Sequence, residues 1–295
     1  MTSAPREDID AHTGTATTGH EWDGIRELNT PLPKWWLYIL YATIVWAIGY
    51  IIVYPAIPLI SNHTPGILGW SSRAAVTDEL IQLKQQRAPM TLALDKASFA
   101  EIAKDDRLRT FALAQGRAAF GDNCAACHGA GGGGAISYPN LNDDDWIWGG
   151  SLEAIQQTIL YGVRSTHADT RVGAMPAFGQ TGILNASEID QLANHVRAIG
   201  GLPTEKTYDK ALGDKIFGEN CAACHGDAGK GKIELGAPNL SDKIWLFGSD
   251  KASIVQTLVR GRGSMMPAWT ERLDGATIKA LALYVHALGG GEPSP

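Results

Sequence analysis

Cysteine is scarce in this chain. The 295 residues contain four, all within two copies of one pentapeptide, Cys124-Ala125-Ala126-Cys127-His128 and Cys221-Ala222-Ala223-Cys224-His225. None is left over for a structural disulfide or a free reactive thiol. Basic charge is also in deficit, with 25 Lys and Arg against 31 Asp and Glu and a formal net charge of −6. That sign argues against a nucleic-acid partner and suits basic proteins instead. Alternating apolar runs long enough for a sheet are missing. Methionine numbers only five, so the placement of each is informative.

Otherwise the composition is that of globular material, 44% hydrophobic and 19% charged, with length for roughly two domains. One hydrophobic run stands apart. From Trp35 to Tyr54 there is no charged residue, and a helix of that length at ~1.5 Å per residue crosses a ~30 Å bilayer core. Trp35, Trp36 and Tyr38 at one end, with Tyr50 and Tyr54 near the other, have the placement of interfacial aromatic belts. Pro55 and Pro58 end the run, because neither can donate a backbone N–H. The run lies behind an acidic stretch and is too long for the core of a cleaved signal peptide, so it reads as a permanent anchor. Arg26 and Lys34 flank its N-terminal side and the next basic residue is Arg73, a bias that favours a cytoplasmic N-terminus.

The spacing predicts an all-α protein: one N-terminal transmembrane helix followed by two tandem domains. Residues 1–34 form a tail, 35–60 the anchor, 61–107 a linker with short helices, and 108–202 and 203–295 the two domains. Residues 1–20, rich in Thr, Ala, Gly and Asp, are expected to be disordered. In the linker, Val76, Leu80, Ile81 and Leu83 give a short helical pattern interrupted at Pro89. Ser98 with Glu101 is a capping box.

The two domains are copies of one unit. Phe120-Gly121-Asp122-Asn123 matches Phe217-Gly218-Glu219-Asn220 at an offset of 97. Pro139-Asn140-Leu141 matches Pro238-Asn239-Leu240, Trp146 matches Trp245, and Gln157-Thr158 matches Gln256-Thr257, all at 99. Met175-Pro176 matches Met266-Pro267 at 91, and Leu192 to Gly201 matches Leu281 to Gly290 at 89. Residues 165–172 therefore read as a loop inserted in the first copy.

Cys-x-x-Cys-His is the attachment signature of a c-type haem. Cysteines three apart share one face of a helical turn, where both can bond the haem vinyl groups while the adjacent histidine meets the iron. The two pentapeptides thus imply two covalently bound haems c, on Cys124, Cys127, Cys221 and Cys224, with His128 and His225 as iron ligands. A thioredoxin-like dithiol would need a βαβ context. A zinc site would need the pentapeptides to pool ligands, yet each sits in its own repeat.

Met175 and Met266 recur at the equivalent Met-Pro position, and a residue before proline is held extended, in a loop. They are the candidate sixth ligands, and thioether ligation raises a haem potential. Met266 is preferred to its neighbour Met265 because Pro267 follows it. Whether each methionine serves its own repeat or the other is left open by the sequence. His167, in the inserted loop, is a competing ligand. His195 aligns with Tyr284, and in a cytochrome c domain such a terminal-helix aromatic packs on the N-terminal helix. Gly116 with Phe120, and Gly213 with Phe217, offer the matching small-large contact. Gly129, Gly131 and Gly134 fit G-x-G-x-x-G but follow no strand, which argues against a dinucleotide site. They let the backbone pass close to the haem face. Asp143, Asp144 and Asp145 resemble an acidic docking patch, although Asp143 aligns with Asp242 and so reads as a turn residue common to both copies.

The N-terminal segment is more specific. Gly19-His20-Glu21-Trp22-Asp23-Gly24-Ile25, then Glu27-Leu28-Asn29, Pro31-Leu32-Pro33, Trp35-Trp36 and Tyr41-Ala42-Thr43-Ile44-Val45-Trp46, closed by Tyr54-Pro55, resembles the anchor of the di-haem subunit III of cbb3-type cytochrome c oxidases. The resemblance runs on through both haem domains. It implies a bacterial inner-membrane protein with a cytoplasmic N-terminus and periplasmic haem domains. The implied role is to take electrons from a donor cytochrome c and pass them to a mono-haem cytochrome c subunit. A catalytic subunit holding b-type haems and copper then reduces oxygen and pumps protons. By resemblance to cytochromes c, the carbonyls of Pro139 and Pro238 should accept a hydrogen bond from His128 and His225. No copper or oxygen site is expected in this chain. The rival readings are a free-standing di-haem oxidoreductase, which would want one iron with an exchangeable position, and a membrane-tethered shuttle cytochrome, which would need no specific anchor motif.

Overall fold

The structure is a computed structural model that describes residues 8–292. It forms two compact units that meet in sequence at Gln85 and Gln86. The first unit opens with a hairpin of strands β1 (Thr17–Trp22) and β2 (Ile25–Leu28), paired antiparallel with Trp22 opposite Ile25 and Glu21 opposite Arg26. Asp23 and Gly24 turn the chain with φ of 51° and 82°, the pair of positive values that a tight two-residue hairpin demands and that Asp-Gly supplies. Arg26 Nε donates to Glu21 Oε2 at 2.8 Å across the pair. Ahead of the hairpin, Ile9 bridges to Ala16. The expected disorder of residues 1–20 is therefore corrected from Asp8 onward, because the turn and its cross-strand partners supply local pairing that composition does not register. Residues 1–7 lie outside the described residues.

Helix α1 (Lys34–Val53) is the apolar run, and none of its side chains is buried within the chain. Among the described residues it is the one helix long and apolar enough to cross a membrane. Its last carbonyls, which no further helical turn can satisfy, are met from beyond. Ile67 N–H donates to the Ile52 carbonyl at 3.0 Å and Leu68 N–H to that of Val53 at 3.2 Å. Tyr50 stacks on Tyr54 at 4.9 Å and Trp70 meets Tyr54 edge-on at 5.9 Å.

Helix α2 (Ser72–Lys96) runs through Pro89, where the sequence reading expected an interruption. Proline removes the hydrogen bond to the carbonyl four residues back, that of Gln85. The division between the compact units falls at that residue. The helix continues because its end is anchored: Leu94 is fully buried, and Lys279 Nζ donates to the carbonyls of Leu94, Asp95 and Ala97 at 3.2, 2.7 and 2.7 Å. Helix α3 (Phe99–Lys104) follows with the expected capping box between Ser98 and Glu101.

The rest of the second unit is helical: α4 (Asp106–Asn123), α5 (Ala125–His128), α6 (Leu152–Tyr161), α7 (Ala186–Ile199), α8 (Lys210–Asn220), α9 (Ala222–His225), α10 (Lys251–Arg260) and α11 (Gly275–His286). Packing does not follow the order of the repeats. α11 packs on α4 and α6, whereas α7 packs on α8 and α10. The terminal segments of the two copies are exchanged. One core joins Phe120, Ile155 and Ile159 of the first copy to Trp269, Ile278, Leu281 and Val285 of the second. The other joins Phe178, Ile189, Leu192 and Val196 of the first copy to Ile216, Phe217, Ile254 and Leu258 of the second. We call these the Cys124 module and the Cys221 module.

The link from α7 to α8 fixes this outcome locally. Asn194 Oδ1 accepts from Glu205 N–H at 3.0 Å, Gln191 Oε1 from Asp209 N–H at 2.7 Å, and Arg197 Nε donates to the Pro203 carbonyl at 3.0 Å. Stitched back in this way, the link holds α7 beside α8, and α4 is left to be closed by α11. The small-large contacts cross accordingly. Phe120 meets Tyr284 at 5.4 Å, and Phe217 meets His195 at 5.2 Å.

Two outcomes follow. A Cβ at Gly116 would lie 2.2 Å from the Ala280 carbonyl oxygen and 2.7 Å from Tyr284 Cβ, while one at Gly121 would meet open space. Gly116→Ala should cost about 1–3 kcal/mol of stability by overpacking, whereas Gly121→Ala should be neutral or slightly stabilising; denaturant titration reads both. His195 is 7% exposed, and burial holds its imidazole below the ordinary value of 6.5. The unfolded chain therefore binds the proton first as pH falls, and stability present above about pH 6.5 is lost on acidification. His195→Phe should flatten the acid side of the stability profile, as seen in unfolding midpoints between about pH 7 and pH 5.

Candidate haem sites

Each CAACH is one turn of helix at the end of a longer helix. Phe120 O accepts from Cys124 N–H at 2.8 Å, and Cys124 O accepts from His128 N–H at 3.0 Å, so the pentapeptide closes directly onto α4. Phe217, Cys221 and His225 repeat the arrangement at 2.8 and 2.9 Å on α8. The first cysteine of each motif faces inward and the second outward: Cys221 is buried and Cys124 half-buried, while Cys127 and Cys224 are exposed. Burial pushes the Cys124 and Cys221 side chains up to about 11, a sign of how far the first cysteine of each motif is withdrawn from water.

The two histidines are held in the same way. His128 Nδ1 donates to the Pro139 carbonyl at 3.0 Å, and His225 Nδ1 to the Pro238 carbonyl at 3.0 Å. A carbonyl can only accept, so the proton sits on Nδ1 and the Nε2 lone pair is free to bind a metal. Burial holds the His225 imidazole below its ordinary pKa, outweighing the Pro238 hydrogen bond that raises it, and so favours the neutral ring. The proline loops can reach these rings because of a close backbone approach. A Cβ at Gly134 would meet the Tyr138 carbonyl oxygen at 2.6 Å, and one at Gly231 that of Ala237 at 2.5 Å.

The methionines lie where the segments cross. Met175 packs on the core that contains Cys221 and Ala222. Met266 packs on the core that contains Phe120, with Cys124 and Ala125 beside it. Met265 is 65% exposed. Backbone pairs hold the crossing: Met175 N–H donates to Arg262 O at 2.9 Å and Arg262 N–H to Met175 O at 3.1 Å. Met266 N–H donates to Val163 O at 2.9 Å and Val163 N–H to Met266 O at 3.0 Å.

His167 is engaged in its own loop. Its ring lies 4.8 Å from that of Tyr161, and its Nδ1 accepts from Asp169 N–H at 3.1 Å. Asp143 and Asp242 act as turn residues, accepting from Asp145 N–H at 3.3 Å and Ile244 N–H at 2.9 Å. Burial first, and then Asp242, Asp143 and Asp144, raise Asp145 to about 6. The donor set fits haem c: two thiols and an imidazole protonated on Nδ1 on one helical turn, an apolar wall, and a thioether packed on the same core. Which methionine accompanies which CAACH could not be read from the repeat pattern, because the pattern does not say which terminal helix closes which copy.

Comparison with known families agrees with this geometry. The N-terminal domain of cytochrome oxidase-cbb3, FixP, matches residues 14–61. Cytochrome C oxidase, cbb3-type, subunit III, matches residues 111–196 and 209–285. The chain is 60% identical to the cbb3-type cytochrome c oxidase subunit FixP of Bradyrhizobium sp. (strain ORS 278), over 98% of this chain and 100% of that protein. It is 49% identical to the subunit CcoP of Azospirillum sp. (strain B510), over 96% and 98%. With Cereibacter sphaeroides CcoP the identity is 46%, over 94% and 95%. The apolar α1, the paired haem-binding modules and this similarity over the whole length lead to one conclusion: the chain belongs to the subunit III family of cbb3-type cytochrome c oxidases, membrane-anchored cytochromes c that serve the oxidase by electron transfer.

Proposed function

We propose that this chain carries two haems c and conducts electrons from a donor cytochrome c, by way of a mono-haem subunit, to a catalytic subunit with b-type haems and copper. Cys124, Cys127 and His128 hold one haem, and Cys221, Cys224 and His225 the other. The exchange of terminal segments carries the assignment of the sixth ligands. Met266 serves the haem on His128, and Met175 the haem on His225, because each methionine packs in that module and is paired to its backbone. When bound, the haems supply one-electron redox chemistry at a potential that thioether ligation raises. The protein's part is to fix the imidazole tautomer through Pro139 and Pro238, to exclude water with the apolar cores, and to keep both sites in one compact unit. Oxygen reduction would belong to the partner, because His128 with Met266 and His225 with Met175 would leave neither haem an exchangeable position. The N-terminus is cytoplasmic and the haem modules periplasmic, a reading supported by Arg26 and Lys34 before α1.

The crossed ligation has a direct test. Replacing Cys124 and Cys127 by serine should halve the covalent haem stain and leave the haem on Cys221 and Cys224. In that background Met175→His should abolish thioether ligation and lower the remaining potential, because imidazole lacks the soft sulfur that favours ferrous iron. Met266→His should leave the thioether ligation of the remaining haem in place. The reverse pattern would assign each methionine to its own repeat.

The role in the oxidase is tested at the anchor. Lipid does not distinguish one apolar helix from another, so a poly-Leu span in place of residues 35–54 should keep the chain in the membrane with both haems. If α1 packs on neighbouring oxidase helices, co-purification of b-type haem and copper, together with oxygen consumption, should fall sharply. A shuttle cytochrome would deliver electrons as before.

A further inference from the structure

The two segments that cross between modules share a feature that haem attachment does not use. Arg171 and Arg262 each stand four residues before a methionine, Met175 and Met266. Each guanidinium remains in the module that the chain is leaving. Arg171 donates through Nε to Thr158 Oγ1 at 2.9 Å, and through Nη2 to the Ala154 carbonyl at 3.2 Å and Gln157 Oε1 at 3.3 Å. It lies 5.2 Å from the centre of the Trp148 ring. The Thr158 hydroxyl donates its own proton to Ala154 O at 2.9 Å, which leaves its lone pairs for the arginine. Arg262 donates through Nε and Nη2 to Thr257 Oγ1 at 3.0 and 2.7 Å and lies 4.2 Å over Phe247. Thr158 and Thr257 are equivalent positions, as are Trp148 and Phe247, both pairs at an offset of 99. The arginines match at 91, the offset of the two Met-Pro pairs, so Arg171, at the end of the 165–172 stretch, already follows the register that holds after the insertion. The insertion therefore leaves the same clamp in both modules. Among the described residues, no carboxylate forms a salt bridge with either arginine.

The same arginines sit in the backbone pairs of the crossing. Arg262 exchanges two hydrogen bonds with Met175. Arg171 N–H donates to Gly162 O at 3.2 Å and Arg171 O accepts from Arg164 N–H at 2.6 Å, flanking Val163, which is paired with Met266. Each arginine thus bears on both methionines, on one through a backbone ladder and on the other through a four-residue tether. We propose that Arg171 and Arg262 are positioning residues that pin the exchanged segments and fix both methionines together, so that the axial positions of the two haem sites are mechanically coupled. The proposal rests on Met175 and Met266 being the sixth ligands.

Imidazole competes with a thioether for ferric iron, so its affinity reports how firmly each methionine is held. The test is a spectroscopic imidazole titration of the full haem-loaded chain, with Met175→His and Met266→His variants to assign the two haem signals and haem stain to verify loading. Arg262→Gln should raise imidazole affinity at both haems by about tenfold, the scale of one lost charge-assisted hydrogen bond. Thr257→Val should act in the same direction. Arg262→Lys should not rescue, because an ammonium cannot fork onto the hydroxyl while stacking on Phe247. A change confined to one haem, or to neither, would overturn the coupling, and full rescue by lysine would replace pinning with a simple charge effect. If the two Met→His variants left both haem signals unaltered, the ligand assignment itself would fail, and the coupling with it.

Discussion

Everything in the haem-bearing unit depends on which terminal helix closes which core. The α7–α8 link makes that choice, and the close approach of α11 to α4, where Gly116 leaves no room for a Cβ against the Ala280 carbonyl, locks it. In the partner contact a Cβ at Gly213 would lie 2.9 Å from His195 Cβ. Backbone contact this close admits one register, and the aromatic side chains Phe120 and Phe217 fill the space beside it. Once α7 is stitched to the link that leads into α8, the first copy has lost its own closing helix. The second copy's helix is the one that remains to complete it.

The exchange places the two proposed iron sites within a single body rather than on two beads of a string. A pair of tandem cytochrome domains joined by a flexible link would present a spread of separations between their redox centres. Here the segments that carry Met175 and Met266 pass in opposite directions through one crossing held by four backbone hydrogen bonds. Fixed geometry suits a subunit whose task is directional delivery, because orientation and distance are set before any partner binds.

Much of this could be read from residues alone. The CAACH pair, the twofold repeat and the apolar helix are local signals, each set by a few neighbours in sequence, whereas the Pro139 and Pro238 contacts follow from the resemblance to cytochromes c. The Asp23-Gly24 turn is equally local, but the strand that it folds back begins at Thr17, within the 1–20 stretch whose composition reads as disordered. Pro89 misled for a different reason: burial of Leu94 and the hydrogen bonds from Lys279 outweigh one missing helical bond, and both come from distant sequence. The exchange could not be seen at all. Repeats with nearly identical helices are chemically able to close either way, and the choice lies in the α7–α8 link, where Asn194, Gln191 and Arg197 carry no repeat signature.

The interleaving also bears on how the chain is made. The Cys221 module is continuous from about residue 172 to residue 262, so it can close as soon as those residues have emerged. The Cys124 module begins earlier but ends last, since its core needs Trp269, Ile278 and Leu281. During synthesis the first haem-binding turn must therefore wait, with an open core, until nearly the whole polypeptide exists. Contacts of such sequence separation form late and slowly. Truncation between residue 262 and α11 would leave the downstream module whole and the upstream one unclosed, so the integrity of the first site reports that the last helix has been made.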